Sequence, residues 1–414
     1  MYPELLAPAG SPERLDTALT YGADAVYLGG TDLNLRAQTP GFSPAELNQA
    51  LHTAHAQNRR IYYCLNILPH PEQIPLVQEQ LQGLEGTSVD ALIAADPGVI
   101  RLARKILPRI PIHISTQANT SNPHAAAFWQ DQGASRVNLA RELDLRAVRA
   151  IRRAVPDLEL ESFVHGAMCM AISGRCHMSA HLTRRSANQG LCTQPCRFKY
   201  RSVFLEEAQR TGEPTWEALE DEAFTTLLAS EDLALIDFLP WLSKAGMDSL
   251  KIEGRMKTSS YLAQVVDIYA TALADIRRKT FRPGLYWREL QLVATRPLCT
   301  GFFLPGRRKR LFTPERTQPR APVLAKILCR DGPDTWRISL RHRWESGRKV
   351  QILVPGLRRP ELSPAVYSLE SLTGDPADAL HSGQEGLLRS DHPDLRPGLM
   401  LRAYPEQSPE DDRE

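Results

Sequence analysis

Two apolar rhythms alternate along the first two thirds of the chain. Short runs dense in apolar residues recur at ELLAPAG (4–10), ADAVYLGG (23–30), IYYCLNILP (61–69), VDALIAADPG (89–98), IPIHISTQAN (110–119), RVNLARE (136–142), LELESFVHG (158–166) and SLKIEGR (249–255). Their length and bounding turn residues predict strands. Between them lie stretches of helical period: SPERLDTALTYG, SPAELNQALHTAHAQ (43–57), PLVQEQLQGL (75–84), GVIRLARKIL, NPHAAAFWQDQG (122–133), LDLRAVRAIRRAV and the long SSYLAQVVDIYATALADIRR (259–278). Ser11 is placed to cap the first helix, with Pro12 at its first position and Gly22 as its stop; Ser43 repeats the Ser-Pro start. Strand–helix alternation predicts a parallel sheet. About eight units with near-continuous apolar strands over roughly 280 residues fit a closed (β/α)8 barrel of the TIM type better than an open sheet. No GxGxxG turn follows the first strand, which weakens a dinucleotide-binding reading.

From about residue 288 the rhythm breaks. Pro, Gly and Arg punctuate PVLAKILCR, TWRISLR, KVQILVPG, AVYSLES and GLMLRAYP, which predicts a small C-terminal all-β domain, barrel-like, over 286–405. The α/β domain then covers 1–285, with a cysteine-rich insertion at 169–196 and an acidic connector at 200–223. The tail, 406–414, reads as disordered.

Charge changes the picture in one place. The formal net charge is only +2, but residues 301–360 hold 15 Lys or Arg against 4 acidic residues. The densest run is Arg307, Arg308, Lys309 and Arg310. Such a patch attracts polyanions, RNA foremost, unless it is merely a solvated basic face. The N-terminus shows no secretory pattern and no run of about 18 apolar residues occurs, so a cytoplasmic protein without a membrane span is expected.

Four of the 7 cysteines cluster as C-x6-C-x15-C-x3-C: Cys169, Cys176, Cys192 and Cys196. In a reducing compartment such a group points to a metal or to chemistry rather than to disulfides. Four thiolates can hold a 4Fe-4S cluster or a tetrahedral zinc ion. Neither short gap is a CxxC knuckle. Gly166, Gly174 and Gly190 let backbone N–H groups approach sulfurs, which suits a cluster; zinc stays open. Cys169 as a nucleophile with His165 is a weaker reading, because such partners meet in space rather than in sequence. Cys64, Cys299 and Cys329 are scattered; two of them fall in apolar strand runs and read as ordinary buried thiols.

In a barrel, chemistry belongs at the C-terminal strand ends. Gln117 and Asn119 follow the fifth strand, Arg141 and Glu142 the sixth, His165 the seventh, and Lys251, Glu253 and Arg255 lie at the last. The arginines and Lys251 suit a small carboxylate, since guanidinium groups bind carboxylates in bidentate fashion. His165 and Glu253 suit proton transfer. A satisfied ion-pair network at the rim is the alternative for Lys251, Glu253 and Arg255.

ESFVHGAMCMAISGRCHMS (161–179) resembles the signature of peptidase family U32, the collagenase-like proteases. LLAPAGSPERL, YGADAVYLGG, ADPGVI, STQAN, NQGLCTQPCR, EDLALI and SLKIEGRMKT are similar to further family blocks, over about residues 1–280. NQGLCTQPCR with EEAQRTGE and EDE is most similar to the tRNA-hydroxylating branch. That resemblance implies 5-hydroxylation of a wobble uridine in tRNA, drawing on prephenate rather than molecular oxygen, with an iron–sulfur cluster on Cys169, Cys176, Cys192 and Cys196. Related branches imply hydroxylation of a ribosomal RNA cytidine or of ubiquinone. The family's name implies a peptidase, yet no HExxH, GxSxG or local cysteine-protease signature is present. A non-catalytic RNA-binding or cluster-delivering factor is a further alternative.

Overall fold

The computed structural model describes residues 2–33, 41–169, 171–198, 219–220, 225–226, 231–304, 310–314 and 318–405. Most of the acidic connector, the run Arg307–Lys309 and the tail lie outside them.

The predicted strands form, shortened to their apolar cores: β1 (Glu4–Pro8), β2 (Ala25–Leu28), β3 (Arg60–Cys64), β4 (Ala91–Ala94), β5 (Ile112–Ile114), β6 (Arg136–Asn138) and β7 (Glu159–Ala167). Asp232–Ala234 is β8 and Ser249–Ile252 is β9. β1 to β7 pair in parallel in sequence order, and β9 pairs in parallel with both β7 and β1, closing an eight-stranded barrel. Helices α1 (Pro12–Thr20), α2 (Pro44–His55), α3 (Ile74–Gly83), α4 (Pro97–Ile106), α5 (Pro123–Asp131) and α6 (Leu145–Ala154) alternate with these strands. Short α7 (Met178–Thr183) lies in the cysteine-rich insertion, and α8 (Leu239–Lys244), α9 (Ser259–Arg278) and α10 (Pro283–Val293) follow among the described residues.

Local capping explains where these helices begin. Ser43 and Glu46 form a reciprocal capping box on α2. Asp96, Asn122, Asp144 and Thr258 accept from backbone N–H groups at the starts of α4, α5, α6 and α9. Ser11 occupies the cap position of α1, but its side chain makes no capping bond; Pro12 sets that start instead.

The large apolar core lies between strands and helices. A smaller cluster of Leu6, Ala25, Tyr27, Tyr62, Cys64, Ala91 and Ile93 fills part of the barrel interior. Another part of the interior is ionic. Arg136, 2% exposed, reaches Glu4 at 2.8 Å, Glu159 at 2.7 Å and Glu161 at 3.4 Å. Lys251 pairs with Glu161 at 2.9 Å and Arg60 with Glu4 at 2.6 Å. Burial works against the Arg136 charge, but the carboxylates outweigh it and hold the guanidinium above its ordinary range.

The sheet continues past the barrel. β8 pairs antiparallel with the end of β7, and Leu298–Cys299 and Arg310–Phe312 add to it in turn. The expected domain boundary at 286 falls inside α10, and those two short strands belong to the barrel's sheet. The all-β part is a seven-stranded antiparallel sheet running from Val323–Arg330 to Met400–Ala403. It meets the barrel through buried charge. Arg359 pairs with Asp267 at 2.8 Å and with Glu289 at 3.1 Å, and Arg402 pairs with Glu289 at 2.9 Å. Tyr21 Oη donates to the Leu353 carbonyl and accepts from Met400 N–H. Two cations and two carboxylates balance. Glu289→Gln keeps the shape but leaves two guanidinium groups facing one carboxylate. It is expected to cost about 2 kcal/mol, the value of a charge-assisted hydrogen bond, read as a lower urea midpoint at unchanged slope.

Candidate active site

The carboxyl ends of the barrel strands open into a pocket of about 130 Å3. Its wall brings together Gln117, Arg141, Lys251, Glu253 and Arg255, and its cover is the insertion carrying Cys169, Cys176, Cys192 and Cys196. β5 ends in a 3-10 turn, Thr116–Ala118, closed by Asn119 at φ 56°. That turn presents Gln117, whose carbonyl accepts from Arg175 Nε at 2.6 Å. Glu142 is absent from the wall. It accepts from Ser173 N–H at 2.6 Å and Ser173 Oγ at 2.5 Å, and so ties the loop between Cys169 and Cys176 to the end of β6. Its role is to position that loop.

The cations differ in what they already hold. Lys251 Nζ is committed to Glu161 and lies 4.3 Å from the Tyr27 ring centroid. Arg141 stacks on Phe163 at 4.1 Å and donates to the Ala167 carbonyl. Arg255 is 5% exposed, lies 6.0 Å from the Tyr27 centroid, and its guanidinium has no carboxylate partner among the described residues. A buried guanidinium without a counter-ion at a pocket wall is an anion site. Arg255 and Lys251 also work against the burial that pushes the Cys64 thiol upward.

His165 is placed elsewhere. A bulge pairs Lys251 with Phe163 but Ile252 with His165, leaving Val164 as the extra residue. One slipped residue turns every later side chain to the other face. Glu161 and Phe163 point inward, whereas His165 lies outside the barrel against Tyr261 and Tyr269 of α9. Tyr269 O–H donates to the Val164 carbonyl at 3.1 Å, so His165 Nδ1–H is the donor in the 3.2 Å contact with Tyr269 Oη. Among the described residues no histidine lines the pocket, and His165 is not paired there with a cysteine. Burial pulls the His165 ring down to about 4, with Lys257 adding to that and Asp232 opposing it. Between its ordinary value of about 6.5 and about 4, the unfolded chain binds the proton and the folded chain does not, so stability falls on acidification. Wild type is expected to lose about 2 kcal/mol from this group between pH 7 and pH 5. Urea unfolding of His165→Gln at both pH values checks it: the variant should show a pH loss smaller by that amount.

All 7 cysteines are outside disulfides. Cys64 is buried as its apolar run predicts and Cys299 is buried too, but Cys329, in the other apolar run, is exposed at the end of its strand. Among the described residues, no three His, Cys, Asp or Glu side chains stand together as a metal site. The chemistry of the donor set nevertheless fits a thiolate-held group. All four clustered thiols line one cavity. Met178 N–H donates to Cys176 Sγ and Gln194 N–H to Cys192 Sγ, each at 3.4 Å. Such donors stabilise thiolate ligands. Gly174, at φ 91°, and Gly190, at φ 84°, supply the left-handed turns of this insertion.

Arg310 is the one member of the basic run that is described; it pairs with Glu231 at 2.9 Å. A second acid-poor stretch contains the four clustered cysteines. From Ser162 to Leu205 the chain has no Asp or Glu, and Arg175, Arg184, Arg185, Arg197, Lys199 and Arg201 fall within it. Composition alone could have shown this. Asn66 and Asn138, also in the wall, escaped sequence reasoning. Their signal is a polar residue at an inward position of an apolar strand.

The model of peptidase family U32 matches residues 10–312. The tRNA hydroxylation protein P1 of Bacillus subtilis is 34% identical over 396 residues, covering 93% of this chain and 90% of that protein. The tRNA hydroxylation protein P of Escherichia coli is 40% identical over 337 residues, covering 72% and 74%. The 23S rRNA 5-hydroxycytidine C2501 synthase of Escherichia coli is 36% identical over 273 residues, covering 66% of this chain and 39% of that protein. No helix among the described residues is long and apolar enough to cross a membrane. By the extent of the family match and the coverage of these relatives, the chain belongs to peptidase family U32.

Proposed function

We propose that this protein is an RNA-modifying enzyme that hydroxylates C5 of a uridine in tRNA, at the wobble position, drawing on prephenate as a small carboxylate co-substrate. The observation that carries the reading is one pocket in which four cysteines cover a wall holding Arg255, a buried guanidinium with no carboxylate partner among the described residues. The names of the relatives that match most of the chain support tRNA as the substrate.

Cys169, Cys176, Cys192 and Cys196 would hold a 4Fe-4S cluster, whose chemistry is electron transfer at low potential. The remaining roles belong to side chains in the wall. Arg255 binds a carboxylate of the co-substrate, and Arg141, stacked on Phe163, stands as its second cation. Lys251, its charge balanced by Glu161, fixes the pocket floor beside the Tyr27 ring. Glu253, in the wall beside Arg255 in sequence, is the carboxylate placed to take or return a proton at the pyrimidine ring. The insertion closes over the wall and keeps water from the reacting atoms.

The test is the nucleoside profile of tRNA. Deleting the gene is expected to remove 5-hydroxyuridine-derived nucleosides, and restoring the intact gene to return them. An unchanged profile on deletion would sink the reading. Glu253→Gln should fail to restore them while remaining folded.

A further inference from the structure

The pocket has a second, uncharged wall that the roles above leave unused. Gln117 and Asn138 are 2% and 3% exposed. Both Nε2 and Oε1 of Gln117, and Oδ1 of Asn138, lack a hydrogen-bond partner among the described residues. Asn66 Oδ1 is in the same condition, while its Nδ2 points to Ser115 Oγ at 3.5 Å. All three line the pocket. Buried polar atoms in native proteins are satisfied, because leaving one bare costs the full penalty of its desolvation. Three carboxamides in one wall therefore mark a place where a ligand supplies the missing partners.

Their position in the barrel says which ligand. Asn66 follows β3, Gln117 follows β5 and Asn138 ends β6. Lys251, Arg255 and the Tyr27 ring come from β9 and β2, on the other side of the strand order, and Arg141, which follows β6, stands at the border between the two sides. An anionic co-substrate is drawn to the cationic side. The neutral side suits a neutral planar group carrying adjacent donors and acceptors. A carboxamide presents N–H and C=O side by side, which matches the amide-like edge of a pyrimidine. The backbone under Gln117 is fixed by its short turn and by Arg175, so the point from which the side chain enters the pocket is set before the base arrives.

We propose that Asn66, Gln117 and Asn138 form a base-reading subsite that hydrogen-bonds the pairing edge of a pyrimidine turned out of the RNA into this pocket. Enzymes that act on a base read it in this way once it leaves the stack. The proposal rests on the reading that RNA is the substrate, and it assigns the two sides of the pocket to its two substrates.

The test uses the cofactor-loaded protein and an anticodon stem-loop carrying either uracil or an abasic residue at the wobble position. Wild type is expected to bind the uracil loop about tenfold more tightly, the discrimination of one good bidentate contact. Gln117→Leu and Asn138→Leu are expected to bind both loops as wild type binds the abasic one. Equal wild-type affinity for the two loops, or variants that keep the preference, would overturn the subsite. So would variants that lose prephenate binding while preferring uracil as before. Abasic-loop affinity doubles as the check that each variant is folded. If the leucine variants fail it, Gln117→Glu, which keeps size but exchanges the amide donor for an anionic acceptor, takes their place. The readout needs no turnover. A wild type that prefers uracil but forms no hydroxylated nucleoside would defeat the reaction proposed above and leave the subsite standing.

Discussion

Arg136→Ala is expected to destabilise the barrel by about 3–5 kcal/mol, the cost of breaking a buried ion pair by removing one partner. In the intact protein three carboxylates, Glu4, Glu159 and Glu161, face Arg60, Arg136 and Lys251. Deleting Arg136 leaves Glu161 with Lys251 alone and Glu4 with Arg60, Tyr62 and Ser249. Glu4 and Glu161 are both almost wholly buried, so the surplus negative charge has no water to screen it. The loss is comparable with the entire stability margin of many domains. It should appear as a large fall in the urea midpoint. Adding Glu4→Gln to Arg136→Ala removes one surplus charge and should recover part of the loss. A double variant no more stable than the single one would show that packing, not charge, dominates.

Cys192→Ser is expected to abolish tRNA hydroxylation, and the same holds for Cys169, Cys176 and Cys196. An alcohol does not replace a thiolate as a ligand to iron. The wild-type protein, purified without oxygen, should contain iron and sulfide and show the broad visible absorption of thiolate-bound iron; each serine variant should lose all three. Cys329→Ser, at an exposed thiol far along the β-domain sheet, should change neither colour nor activity. A colourless wild-type protein containing zinc alone would reverse the cofactor assignment.

The barrel was legible because each of its strands is a short apolar run and several of the helices that follow open on a residue such as Asp96, Asn122 or Asp144 that caps them. Strand ends then located Gln117, Arg141, Lys251, Glu253 and Arg255 without further help. His165 was misjudged as a member of the mouth. Its parity with Glu161 and Phe163 places it inside, and only the bulge at Val164 turns it out. A bulge has no composition of its own. Asn66, Arg136 and Asn138 were hidden by strand patterns that absorb an occasional polar residue, although each sits where alternation points inward. The strands Leu298–Cys299 and Arg310–Phe312 are too short to carry a pattern, so their joining the barrel's sheet leaves no trace in the sequence.

The charged seam between α9, α10 and the C-terminal sheet bears on how the protein melts. Exposing either face alone strands Asp267 and Glu289, or Arg359 and Arg402, without their partners. Neither half can open cheaply while the other stays shut. Heating is therefore expected to produce a single endotherm, with van't Hoff and calorimetric enthalpies in agreement, from a chain built of two architectures.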